Sequence, residues 1–152
     1  MFFKTLRVSQ HINQKTPIMS EYKGRFFTQN SLPTDKLERG DHKWISRPDL
    51  TGSDDLMMVQ VDMPAGQGHS FHKHPTMDEV IYVISGTAEQ WIEKESKTLK
   101  AGDSVFIPKD MVHATFNESN EPVSFLAILS PATDYENATV DVFEEEPWKG
   151  LK

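Results

Sequence analysis

From Met57 to Met63 the chain alternates apolar and polar positions, with Met57, Val59, Val61 and Met63 set against Met58, Gln60 and Asp62. A period of two sends the first set to one face and predicts a half-buried β-strand. Runs rich in β-branched and aromatic residues follow at Val80–Ser85, Thr87–Ile92, Ser104–Ile107, His113–Phe116 and Val123–Leu129. Turn-forming stretches separate them: Pro64-Ala65-Gly66, Ser85-Gly86, Lys94-Glu95-Ser96-Lys97, Gly102-Asp103, Pro108-Lys109-Asp110 and Glu118-Ser119-Asn120-Glu121-Pro122. Short strands broken by turn chemistry roughly every ten residues predict an all-β sandwich or barrel. No helical stripe interrupts residues 55–130, which disfavours a parallel βαβ arrangement. The pattern divides the chain into an N-terminal arm (1–54), a barrel (55–130) and an acidic C-terminal segment (131–152) expected to pack on or near the barrel. Residues 1–18 carry neither period, and Met19 offers a second start, so they are read as a flexible or optional extension.

Composition narrows the chemistry. A length of 152 residues suits one domain. The chain has no cysteine, which removes disulfides, thiolate metal sites and a cysteine nucleophile and leaves His and carboxylate as the available metal ligands. Sixteen Lys and Arg against twenty-three Asp and Glu give a net charge of −7, unfavourable toward phosphate backbones, so no nucleic-acid partner is expected. The longest apolar runs, Val80–Ile84 and Phe125–Leu129, are five residues each, too short to cross a bilayer, and no sustained apolar stretch follows the start. No membrane association and a cytoplasmic location are the expectation.

Candidate chemistry is concentrated in histidines. His72 and His74 form a His-x-His pair whose members project the same way from an extended chain, able to bind one ion together. His113 lies on a later strand. Glu79 heads the Val80–Ser85 run, and by period two it shares a face with Ile81 and Val83. A lone carboxylate on an interior face costs several kcal/mol unless a cation neutralises it. His69 falls off the parity of His72 and is read as a solvated loop histidine. His11 and His42 stand apart from the pattern.

These residues fall into two spaced motifs. The first runs Gly66, His72, His74, Glu79, Gly86, and the second Gly102, Pro108, His113, Asn117, with Asp110 where a glycine is usual. Across roughly 55–130 the chain thereby resembles the cupin superfamily. The resemblance implies a small antiparallel β-barrel, or double-stranded β-helix, of jelly-roll type. It further implies one divalent transition metal (Fe, Mn, Ni, Cu or Zn) held by His72, His74, Glu79 and His113, a ligand set that suits those ions chemically. Four protein ligands leave one or two positions open, as in a catalytic site. Glu79, the sole carboxylate, is the expected proton carrier.

Strand parity nominates Ile81, Val83, Thr115 and Asn117 as pocket walls, with Phe71, Gln90, Trp91 and Phe106 as further contributors. The leading expectation is a metal-dependent, dioxygenase-like enzyme acting on a small organic substrate that chelates the metal. The alternatives are Lewis-acid isomerase, lyase or decarboxylase chemistry on a hydroxy acid or sugar derivative, and a non-enzymatic small-ligand-binding protein. A homodimer is expected, with Trp44-Ile45 and Phe125–Leu129 at its interface, because jelly-roll sheet edges need covering.

Overall fold

The computed structural model describes residues 24–152, so His11 and the extension over 1–18 lie outside it. Eleven strands run through the described residues: β1 (Thr34–Leu37), β2 (Gly40–Ser46), β3 (Met57–Met63), β4 (Gly68–Lys73), β5 (Asp78–Ser85), β6 (Thr87–Ile92), β7 (Glu95–Lys100), β8 (Ser104–Ile107), β9 (His113–Phe116), β10 (Val123–Ser130) and β11 (Val140–Asp141). They form two antiparallel sheets, ordered β1-β2-β3-β10-β5-β8 and β11-β4-β9-β6-β7, which face one another as a jelly roll rather than close into a continuous barrel.

The alternating segments form the core as their pattern requires. Met57, Val59, Val61 and Met63 of β3 stand beside Leu129, Ala127, Phe125 and Val123 of β10, and all eight are buried. On the other flank of β10, Ala127 pairs with Ile81 and Leu129 with Glu79. The carboxylate is therefore inserted into an apolar inner face. At the far end of β5, Gly86 turns the chain with φ +78, and a Cβ there would lie 2.6 Å from the carbonyl oxygen of Pro122. The motif glycine thus answers both a left-handed conformation and a close backbone approach.

Four strands that pair in the structure carry no apolar alternation. β1 and β2 add to the six-stranded sheet before the alternating pattern begins, β2 pairing Trp44 with Val59 and His42 with Val61. β4 reads Gly-His-Ser-Phe-His-Lys, with its inward positions polar. β7, where Lys94–Lys97 reads as a turn, is an edge strand that buries only Leu99.

From Val140 onward the C-terminal segment lies along the outer face of the five-stranded sheet, whereas Tyr135, Glu136, Ala138 and Thr139 line the space between the sheets. β11 pairs with β4, and Val142, Trp148 and Leu151 pack over Phe71, Trp91, Ala114 and Phe116. Lys152 closes the segment with ion pairs to Glu89 (2.5 Å) and Glu118 (2.9 Å). Phe71 and Trp91 therefore belong to this outer cluster, their rings edge to face at 5.6 Å, and neither faces the space between the sheets.

Candidate functional site

Register brings the candidate ligands together. His72 on β4 is the cross-strand partner of His113 on β9, both inside the five-stranded sheet. Glu79 reaches them from β5 of the facing sheet, and His74 sits one residue beyond β4. The turn after β8 steadies that last position. Asp110 adopts φ +65, taking the left-handed conformation that glycine would supply, and its N–H donates to the carbonyl of His74 at 2.8 Å. Its carboxylate is held by Lys73 at 2.8 Å.

All four side chains are buried, and one donor atom from each lies within 4.8 Å of every other. Each imidazole is oriented by its own backbone contact: Nδ1 of His72 to the carbonyl of Ser70 (2.7 Å), of His74 to Ala138 (2.7 Å) and of His113 to Met111 (3.0 Å). A carbonyl only accepts, so each Nδ1 carries the hydrogen and each neutral ring offers a lone pair at Nε2. Glu79 Oε2 stands 2.8 Å from Nε2 of His113 and 3.3 Å from Nε2 of His74. Although they are this close, Oε2 and the His113 nitrogen are buried without a well-formed hydrogen bond. Three lone pairs and a carboxylate converging on one point form a donor set for a dication. These backbone contacts also fix ring orientation in the manner of the outer partners of a metal site.

The electrostatics agree. Burial holds His72 well below the ordinary imidazole value, with its histidine neighbours adding to the shift. Burial likewise opposes charge on His74, yet the Glu79 carboxylate outweighs it and leaves this ring raised. Burial alone would raise Glu79, but the His113 and His74 contacts drive it well below the usual carboxylate range. Glu79 is thus an anion seeking a cation, which in the bare protein means a proton on His74.

The cluster faces a cavity of about 430 Å³ between the sheets. Of the wall residues nominated from sequence, Ile81 and Thr115 line it. Val83 and Asn117 do not. Parity gives the face of a strand but not the depth, and each lies four residues, roughly 13 Å, beyond the ligand that nominated it. Val83 is core, while Asn117 is a structural clamp whose amide donates to the carbonyls of Met63 (3.1 Å) and Glu121 (2.8 Å). Phe106 is a further correction. Register sets Ile107 opposite Glu79, which turns Phe106 outward, 58% exposed. Gln90 is buried but engaged with Thr115, its Oε1 accepting that hydroxyl at 2.7 Å.

Sequence reasoning missed the opposite wall. Asp35, Leu37, Arg39, His42, Trp44 and Arg47 all line the cavity from the β1–β2 hairpin and the residue following it. His69, read as a solvated loop residue, also lines it, with its ring stacked on His72 at 3.7 Å. The available signal was His42-x-Trp44, a period-two pair obscured by the charged residues around it.

Such a fold and donor cluster define a class: small jelly-roll proteins with a three-His, one-Glu site on the inner face. The Cupin domain family matches residues 59–129. The chain is 38% identical over 89 residues to the pectin degradation protein KdgF of Dickeya dadantii, covering 59% of this chain and 77% of that protein. KdgF from Halomonas sp. has a similar structure, with a TM-score of 0.65 at 25% identity over 75% of this chain and 99% of that one. The dimethylsulfoniopropionate lyase DddQ of Ruegeria pomeroyi is 36% identical over 94 residues, which are 61% of this chain but only 45% of that protein. This chain belongs to the cupin family. No helix among the described residues is long and apolar enough to cross a membrane.

Proposed function

We propose that this chain is a metal-dependent enzyme whose single divalent ion, held by His72, His74, Glu79 and His113, acts as a Lewis acid on a small oxygen-rich substrate in a lyase, isomerase or decarboxylase reaction. One observation carries the reading: three imidazole lone pairs and one carboxylate, all buried, converge on a cavity of ligand size. The ion, when bound, polarises a substrate oxygen. The chain's own groups do the rest. The carbonyls of Ser70, Ala138 and Met111 keep the rings aimed, and Met57, Val59, Ile81 and Phe125 give the cavity apolar walls that exclude water. Glu79 holds the only carboxylate charge of the set and accepts a substrate proton at Oε1, the oxygen outside its His74 and His113 contacts.

The relatives favour this chemistry over oxygen insertion, since one is a pectin degradation protein and another a lyase. The dioxygenase-like reading stands second, on the apolar walls beside the donors, which suit a small apolar gas. Metal analysis of protein purified without chelators or affinity nickel, followed by anaerobic assays on hydroxy acids and unsaturated sugar acids, separates the readings. Turnover at full rate without oxygen supports Lewis-acid chemistry, whereas a strict oxygen requirement replaces it with the oxygenase. A chain that takes up none of Fe, Mn, Ni, Cu or Zn leaves the ligand-binding reading alone.

We also propose a homodimer, through an outer sheet face that keeps part of the expected surface, since the half-buried Leu126 and Ile128 of β10 pair there with Tyr82 and Val80 of β5. Phe125, Ala127 and Leu129 face the core and Trp44 lines the cavity. Tyr82, Ile84 and Phe106 are instead exposed together on the outer face of β5 and β8. A monomer in light scattering at micromolar concentration would remove this proposal.

A further inference from the structure

The cavity wall supplied by the β1–β2 hairpin carries a cation with no partner. Arg39 lies in the two-residue turn between Leu37 and Gly40, which pair across the hairpin. The hairpin is seated firmly, because Gly40 at φ +127 lies so close to the Asp62 carbonyl of β3 that no Cβ fits between them. From this turn the Arg39 side chain lines the same cavity as the four donors. Its Nε is buried and makes no hydrogen bond, and among the described residues no carboxylate forms an ion pair with it. On the hairpin, Asp41 is engaged with Lys36 and Asp35 with the Trp44 indole at 2.8 Å, while Glu38, beside Arg39 in the turn, is exposed and forms no ion pair with it. The other guanidinium on the wall, Arg47, is already paired to Asp49 by bonds of 2.7 and 3.0 Å. A buried guanidinium N–H without an acceptor is unfavourable until a ligand provides one.

Two imidazoles flank this cation. His42 carries its hydrogen on Nδ1, directed to the Gly40 carbonyl at 3.1 Å, so its Nε2 is an acceptor. His69 lines the same cavity as Arg39 and the donor cluster, stacked on His72. Burial lowers His42, with Arg39 contributing, so this ring adds no charge beside the guanidinium at neutral pH.

We propose that Arg39 and His42 form a hydroxy-acid subsite, in which the guanidinium takes a carboxylate and Nε2 of His42 accepts from a neighbouring hydroxyl. The carboxylate is the anion that a planar guanidinium pairs with in two-point geometry. That the same molecule's remaining oxygens turn toward the ion rests on the Lewis-acid reading above, whereas the subsite itself needs no ion.

The test is binding to the full chain, with and without chelator, using a matched set of probes: glycerate and gluconate as hydroxy acids, glycerol and glucose as their neutral counterparts. Calorimetry or thermal shift should detect an acid but not its neutral counterpart. Arg39→Gln should weaken acid binding about ten- to hundred-fold, the range of a hydrogen bond to a charged group, while Arg39→Lys retains part of it. His42→Ala should reduce the advantage of glycerate over acetate, which lacks the hydroxyl. Metal content stays unchanged in all three variants. Equal binding of acid and neutral probes, no binding of either acid, or undiminished acid binding by Arg39→Gln would overturn the subsite. Arg39-dependent binding that the ion does not strengthen keeps the subsite and counts instead against the Lewis-acid reading.

Discussion

Glu79→Gln should change stability in opposite directions with and without metal. In the wild-type cavity the carboxylate is 5% exposed and faces nitrogens at 2.8 and 3.3 Å whose hydrogens lie on the far side of their rings. Without an ion, its charge is met only by drawing a proton onto His74. The glutamine amide carries no charge and can donate to an imidazole lone pair, so in chelator the variant should be at least as stable as the wild type. With an ion the order reverses. At a free concentration one hundred times the dissociation constant, binding stabilises by about 2.7 kcal/mol. At roughly 2–4 °C per kcal/mol for a chain of this length, that raises Tm by roughly 5–11 °C. If the loss of the charged ligand weakens affinity about a hundred-fold, the same ion concentration stabilises the variant by only about 0.4 kcal/mol, or roughly 1–2 °C. Scanning calorimetry with EDTA, and separately with Mn(II), Ni(II) and Zn(II), reads all four values. A Tm rise in the variant equal to that of the wild type would refute Glu79 as a ligand. A variant much less stable in EDTA would show that the pair of Glu79 with protonated His74 outweighs the cost of its burial in the bare protein, and would refute the expected order.

The metal-free protein should be most stable somewhat above pH 6.5, the ordinary histidine value. Below this value the unfolded chain takes up protons on His42, His69 and His72 that the fold excludes, since burial lowers all three, so stability falls by about 1.4 kcal/mol per pH unit for each ring still neutral in the fold. Above it, the contribution of His74, raised by Glu79, is lost as pH climbs through its folded value. Urea midpoints in EDTA across that range test this, and a monotonic rise through pH 8 would contradict it. Gly86→Ala should cost at least about 2 kcal/mol, from the left-handed backbone together with the Pro122 and Val123 contacts, whereas Gly102→Ala, at φ +90 in open space, should cost about 1. Equal urea midpoints for the two would remove the close-approach argument. Asn117→Ala should lose about 2–4 kcal/mol through its bonds to Met63, Glu121 and Ser119 and leave metal content intact. A loss of bound ion without a loss of stability would return Asn117 to the site.

What was legible in the sequence follows from which faces the strands bury. β3, β5 and β10 supply the core and the apolar walls of the cavity, so their apolar period marks them, and the spaced His and Glu positions mark the donor cluster. The hairpin β1–β2 and strand β4 face the same cavity, and their inward positions are His42, Trp44, His69 and His72. A strand that gives polar side chains to the cavity has no reason to alternate hydrophobic with polar, so the rule that finds the apolar strands passes over the polar wall. Parity erred in the complementary way at Val83 and Asn117: it chose the inner face correctly but could not say where along the strand the cavity gives way to core. The donors lie within a 42-residue span of closely spaced motifs, His72 to His113, whereas Arg39 joins them only because β2 pairs with β3, a contact that no local pattern encodes. The metal-facing half of the site is therefore the half this family shares in its motifs. The wall that the motifs do not mark comes from the hairpin and from Tyr135, Glu136, Ala138 and Thr139, outside the residues the family match covers.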